Sequence, residues 1–374
     1  MRKYNLVRLA TAILAVAVLI CSNINLAYGA TATLTIVGKK GVYKFSYPEI
    51  VEELGSYRLI KMQEVLLEIC QKESIAPKDA AIMFKPNTDN RFSIKKESYG
   101  ITADFEKLTS DVQACLSVGG GTVSISYNKA APKLYEKDIS LDIYKRGSFS
   151  TSYINSTAER SQNISIATSI INGTVIKNGE TFSFNEVVGK RSEAKGYKNA
   201  KVIVDGKFEN GIGGGICQVS TTLYNAALLS GLDIVTVSPH SLAVSYVDCS
   251  FDAMVSYGGS DLRFKNNTGS DIYIEGYTKS REVCFTIYGK KLNCIYRRES
   301  IITEKIPYTK KSVYNPVFDQ NEYVIIQQGK PGIKSQGYLI KIENGITTRS
   351  LIRKDNYKMT QEIIECGRRE CVLG

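Results

Sequence analysis

The chain has 374 residues and a formal net charge of +11, with 23 tyrosines, no tryptophan and a single histidine. That length holds two or three domains with real cores. The basic balance, with no zinc-ligand spacing, basic helix or compact run of interleaved aromatics and basics, argues against nucleic acid and for an anionic surface such as a cell wall or membrane face. One histidine and scattered cysteines also give no metal-ligand pattern, so neither a metal nor another cofactor is expected.

Residues 1–29 read as an export signal. Arg2, Lys3 and Arg8 precede an apolar run over 9–21, and Ala27-Tyr28-Gly29 supplies small residues for cleavage after Gly29. The run is short for a membrane span; an uncleaved N-terminal anchor is the alternative. Removing the signal leaves +8 and eight cysteines, with no CxxC pair. Export permits disulfides, and Cys284 with Cys294 and Cys366 with Cys371 are the candidate pairs.

Residues 30–150 alternate strands (32–37, 41–46, 80–85, 91–95, 122–127) with helices (61–73, 104–116), as two copies of a small α+β unit. Over 151–290, Ser156 or Thr157 caps a helix running to about 171, with Ile164, Ala167 and Ile171 as its apolar stripe. A second helix spans 217–229 and ends at Gly231. Strands follow at 233–237, 242–247, 253–256, 262–265, 271–276 and 282–288. The expectation is an α+β fold with one buried helix against an antiparallel sheet. Residues 295–307 read as a linker, and 300–366 as a small β module with turns at 328–332 and 343–345.

Three glycines precede Cys217 in Gly213-Gly214-Gly215-Ile216-Cys217-Gln218. A thiolate in the first turn of the following helix is stabilised by the free amides there. Gly214, Gly215 and Gln218 are candidate oxyanion donors, with Ser220, Thr221 and Tyr246 as further hydrogen-bonding groups. A cysteine nucleophile needs a base, and only His240 can be an imidazole base. A strand returning beside the helix would bring it to the helix start, as in papain-like and transglutaminase-like sites. The orienting carboxylate is Asp252 or Asp261, with Asp261 slightly preferred because it starts a strand. Arg160 and Arg263 are candidates to bind a carboxylate. The competing readings are structural: a small buried cysteine at a helix–sheet contact, and arginines in surface ion pairs.

These residues carry a resemblance. Arg160, Asn163, Asn172-Gly173, the run Gly179 to Asn185, Gly189, Gly196-Tyr197, the run Gly213 to Asn225, Pro239-His240-Ser241, Tyr246-Val247, Asp252-Ala253 and Asp261 to Phe264 resemble the VanW family over about 150–285. Asp248 to Phe251 departs from the family's usual glycine-containing turn. Residues 80–135 resemble the peptidoglycan-binding domain that often precedes VanW domains, and 300–366 the G-five module of wall proteins. Some members with this domain order are associated with L,D-transpeptidation. The resemblance thus implies Cys217 as nucleophile on peptidoglycan stem peptides, His240 as base and then acid, and Asp252 or Asp261 as third member. The alternative is a non-catalytic wall-binding protein linked to wall maintenance or glycopeptide resistance. Neither reading implies a stable protein partner.

Overall fold

The computed structural model describes residues 33–46, 58–204 and 207–367. The signal segment and Cys371 therefore lie outside the described residues. The chain is α+β and forms two compact units, drawn from Met1–Ile82 with Ile94–Ser140, and from Met83–Ser93 with Leu141–Gly374.

In the first unit, helices α1 (Arg58–Glu73) and α2 (Phe105–Ser117) share one core. Strand Thr33–Val37 runs antiparallel to Val42–Ser46 and parallel to Gly121–Ser124. Its inward residues Leu34 and Ile36 meet Leu66 and Ile69 of α1 and Leu108 and Val112 of α2. The two expected repeats therefore do not have separate cores. The reason is that the parallel pairing brings the first and last strands together, so both helices bury their stripes in one cluster that also takes in Ala103. Asp104 caps α2 by accepting from the Lys107 amide (2.9 Å).

The second unit is built on a four-stranded antiparallel sheet in the order Tyr144–Ser152, Glu282–Gly289, Ile272–Lys279, Val175–Ile176. Tyr144–Ser152 belongs to this sheet, so the boundary falls near residue 140 and not 150. Helix α3 (Ala158–Ile171) is capped by Thr157 and packs its Ile164, Ala167 and Ile171 onto the sheet with no exposure. Burying each isoleucine fully contributes about 2–3 kcal/mol. After the short helix α4 (Phe184–Val188) comes the hairpin Asn199–Val204 and Lys207–Ile212, which leads into the glycine run. Helix α5 (Ile216–Leu229) has no charged residue and is buried on nearly every side, between the sheet, α3 and strand Asp233–Thr236. Residues 242–247 form no strand; they run as irregular chain past the site.

The expected linker is also a strand. Ile295–Ile306 pairs with Gly332–Glu343, which pairs with Ile346–Tyr357. Arg298 explains its inward face: the guanidinium lies 4.2 Å from the Phe149 ring and 4.6 Å from that of Phe251, and donates to Asn225 (2.6 Å). Leu339 and Ile352 pack against the same core as α5. A second small sheet has the order Lys310–Tyr314, Glu362–Cys366, Tyr323–Gln327. Cys284 and Cys294 are free thiols, so the pairing considered for them is not made. Cys366 is disulfide-bonded.

Candidate active site

Helix α5 sets the site by what its polar side chains must do. Buried with no water to bond, they find backbone partners. Ser220 Oγ donates to the Ala253 carbonyl (2.6 Å), Thr221 Oγ1 accepts from the Ala253 amide (2.9 Å), and Asn225 Nδ2 donates to the Phe251 carbonyl (2.8 Å). These bonds grip the backbone on both sides of Asp252. Ser220 and Thr221 are thus not substrate-binding groups: both are fully buried pegs that fix the neighbouring segment.

That segment meets the histidine by register. Ser238 and Met254 form an antiparallel bridge. Counting two residues on from Ser238 and two back from Met254 places His240 opposite Asp252 on the same face. Asp252 Oδ2 accepts from the His240 amide and lies at the same 2.6 Å from His240 Nδ1. The Cys217 thiol donates to the Val255 carbonyl (3.4 Å) and lies close enough to His240 for the two to shift one another. Cys217, His240 and Asp252 therefore make up one Cys–His–Asp cluster. Asp261, the preferred carboxylate, is elsewhere. It accepts from Ser183 Oγ (2.6 Å) and the Asn185 amide (2.9 Å), fastening the start of α4. Starting a strand gave it no claim on the histidine; the bridge at Met254 decides for Asp252.

Asp252 has two further partners that the sequence did not suggest. Its Oδ1 accepts from Arg353 Nη2 and from the Tyr357 hydroxyl, both at 2.6 Å, and its carbonyl accepts from Arg353 Nη1 (2.8 Å). Both residues come from strand Ile346–Tyr357 of the C-terminal module. No local motif marks them, since they lie about a hundred residues downstream.

The charges follow from these contacts. Burial would raise the Asp252 carboxyl, but the His240 bond, the Arg353 charge and the Tyr357 hydroxyl hold it down to about 2. Burial would lower the His240 imidazole, yet Asp252 and Cys217 raise it to about 9. Burial would raise the Cys217 thiol; the bond to His240 and its charge, with help from the Val255 backbone and Arg191, bring it below its ordinary value. The two shifts together favour the thiolate–imidazolium form of the pair. Tyr246, bonded to Thr221, is pushed well above the usual phenol range by burial and by Cys217. It therefore remains a neutral O–H beside the thiolate.

Cys217 is half-buried in the first turn of α5. Among the amides around it, Gly213 donates to Lys198, Ile216 to Gly213 and Gln218 to Gly215. Those of Gly214, Gly215 and Cys217 have no acceptor among the described residues and are the oxyanion donors on offer. Gln218 is not one. Its side chain donates to Thr151 Oγ1 (3.0 Å) and the Ser152 carbonyl (2.9 Å), and accepts from Arg160 (2.8 Å). The glycines are required by packing. A Cβ on Gly214 would lie 2.6 Å from the Lys201 carbonyl oxygen, and one on Gly215, at φ +105°, 2.9 Å from Ile164.

Of the arginines, Arg160 is spent on Ser156 and Gln218. Arg263 makes only a loose pair with Glu186 (3.5 Å), itself largely exposed. The sequence reading missed Arg191. Its Nη1 donates to Asn185 (2.7 Å) and its guanidinium lies over Phe184, while its buried Nη2 has no partner among the described residues. Its charge and the Cys217 thiol act on one another, which puts the guanidinium in the neighbourhood of the thiol. A basic residue five positions after Phe184-Asn185-Glu186 was the only available signal.

Residues 159–288 match the family described as VanW like protein, and residues 297–369 match the G5 domain. The chain is 41% identical over 162 residues to YoaR of Bacillus subtilis (strain 168), an uncharacterized protein, covering 43% of this chain and 54% of YoaR. It is 34% identical over 111 residues to the vancomycin B-type resistance protein VanW of Enterococcus faecalis (strain ATCC 700802 / V583), covering 28% of this chain and 40% of that protein. The chain thus spans about half the length of these relatives or less. Among solved structures it is similar to the G5 domain of IgA1 protease (26% identity, 21% of this chain and 92% of that one, TM-score 0.16).

Proposed function

Starting from a chain that carries a VanW-like domain and a C-terminal G5 domain, we propose that it is an exported, peptidoglycan-associated cysteine acyltransferase, with L,D-transpeptidation as its reaction. The single observation that carries this reading is the Cys217–His240–Asp252 relay at the N-terminus of a buried helix.

The Cys217 thiolate attacks the carbonyl carbon of the third residue of a stem tetrapeptide. The resulting oxyanion is met by the amides of Gly214, Gly215 and Cys217. His240, holding the proton, gives it to the departing nitrogen, so the C–N bond breaks, D-alanine leaves and a thioester remains. An amine on a neighbouring stem attacks that thioester and passes its proton to His240. The Cys217–carbonyl bond breaks and the thiolate returns, leaving a cross-link between two third residues. Water in place of the amine gives a carboxypeptidase. The free Nη2 of Arg191 suits the carboxylate of the leaving residue.

The second reading, a non-catalytic wall-binding protein, is favoured by the G5 domain, a module of wall-binding type. Incubation with purified tetrapeptides separates the two. Catalysis predicts an intact-mass increase of the acyl group on Cys217 and new cross-linked muropeptides, both abolished in Cys217→Ala with sacculus binding retained. An unmodified wild-type protein and unchanged muropeptides would leave only binding.

A further inference from the structure

We propose that the G5 module is a working part of the catalytic centre, with Arg353 and Tyr357 as positioning residues that hold Asp252, and through it His240, in the orientation and charge balance the relay needs. This rests on reading Cys217 as the nucleophile.

The contacts are dense and buried. Arg353 grips both the carboxylate and the carbonyl of Asp252, and its Nε donates to Asp355 (2.7 Å). The Tyr357 hydroxyl gives its proton to Asp252 and accepts the Ser250 amide (2.7 Å), closing the backbone turn before Asp252. Ser250 and Ser335 hydroxyls meet at 2.7 Å, Ser300 donates to the Cys249 carbonyl (2.8 Å), and the Lys358 amide to the Ser241 carbonyl (2.8 Å). The module therefore ties down the residue after His240, the turn before Asp252, and Asp252 itself. A domain joined only to bind a wall would have no need to send a cation 11% exposed to this carboxylate.

The charge balance gives the chemical reason. Arg353 sets a positive charge against the Asp252 carboxylate. Without it the buried cluster is more negative by one unit, and the thiolate, a stronger base than the carboxylates, takes up a proton first. The other groups that act on Cys217 are Tyr246, Arg160 and Arg191. Those around Asp252 are Tyr224, Cys249 and, through Arg353, Asp355. None of these supplies a second cation on Asp252 Oδ1.

The test is the pH profile of iodoacetamide labelling at Cys217 in the full chain, read by peptide mass spectrometry. Wild type labels below pH 7, and His240→Ala loses that acidic limb. Arg353→Gln should move the limb up by about one pH unit. Arg353→Lys restores the charge and returns it. Asp355→Asn, which leaves Arg353 unshared, moves it the opposite way, a shift that a folding defect does not mimic. Arg349→Gln, a control cation on the same strand paired with Glu299 at the surface, leaves it in place. A folded Arg353→Gln with the wild-type limb overturns the proposal, as does Arg353→Lys shifting as far as Arg353→Gln. Should Arg353→Gln not fold, Asp355→Asn decides: a stationary limb overturns it. Absence of an acidic limb in wild type sinks the nucleophile reading itself. A limb that is present but indifferent to Arg353 and Asp355 sinks only this inference.

Discussion

Among the buried carboxylates Glu73 and Asp252 keep similar company, yet only Asp252 lies beside a histidine and a cysteine. Glu73, in the first unit, is fully buried and accepts from the Lys40 amide (2.9 Å) and the hydroxyls of Tyr127 (2.8 Å) and Tyr43 (3.0 Å). Asp252, in the second, is 1% exposed and accepts from an amide, a tyrosine hydroxyl, an arginine and an imidazole. For both, burial raises the carboxyl and hydrogen bonds outweigh it, so both are depressed. The difference is in the partners. Glu73's donors do not change charge near neutral pH, so the cluster can only hold the unit together; Lys40 Nζ turns away to the Lys72 and Ser74 carbonyls. Asp252 bonds an imidazole, which can carry a proton, and that imidazole neighbours a thiol. A shifted carboxyl in the interior thus marks an active site only when it is wired to a proton carrier that meets a nucleophile.

The comparison can be broken at several points. The largest effect is expected from Asp252→Asn, which spoils the partner of His240 Nδ1 and should slow thioester formation by about 10³–10⁴-fold, as in other triads. Glu73→Gln should leave that rate unchanged, and stopped-flow acylation distinguishes them. In urea unfolding the order changes: Glu73→Gln should cost about 1–3 kcal/mol, because it replaces an acceptor with an NH₂ facing two hydroxyls and an amide.

A subtler separation lies in the pH dependence of stability. His240, raised from 6.5 to about 9, stabilises the fold below its unfolded value and loses that contribution as pH rises through 9. Cys217, depressed below 9.0, has the opposite sign and gains as pH rises. The two slopes oppose one another, so wild-type stability should fall less steeply between pH 6.5 and 9 than the His240 shift alone dictates. Cys217→Ala removes the opposing slope, and stability should then fall with rising pH by less than about 3 kcal/mol across the window, because Cys217 itself supplies part of the His240 shift. Glu73→Gln should leave the wild-type slope in that window unchanged, since its carboxyl is depressed and lies at the acid end. Chemical denaturation at three pH values is sufficient to read this. The smallest effect is expected at Arg263→Gln, below about 0.5 kcal/mol and with no change in acylation, because its ion pair is exposed.

How far the site was legible depends on the range of each interaction. Cys217 at a helix start could be read from Gly213-Gly214-Gly215 and the periodicity after it, because turn chemistry and helix periodicity are local. His240 was found because no other imidazole exists in the chain. Choosing Asp252 over Asp261 required the bridge between Ser238 and Met254, and both carboxylates begin similar short apolar segments. Ser220 and Thr221 looked like active-site hydroxyls because their position near Cys217 was visible and their burial was not. Residues 242–247 alternate like a strand but run irregularly, since the segment must cross the site from His240 to Asp252.

The amino-acid order by itself determined the local elements: a glycine-fed, charge-free helix carrying a cysteine in its first turn, an apolar-striped helix before it, and one imidazole downstream. Each depends on neighbours a few residues apart, where sterics and periodicity leave few choices. Tertiary structure alone decided the acid, the fate of the buried hydroxyls and the entry of Arg353 and Tyr357. Those depend on which distant polar groups are left facing one another once water is excluded, and burial makes such groups find partners wherever the fold brings them.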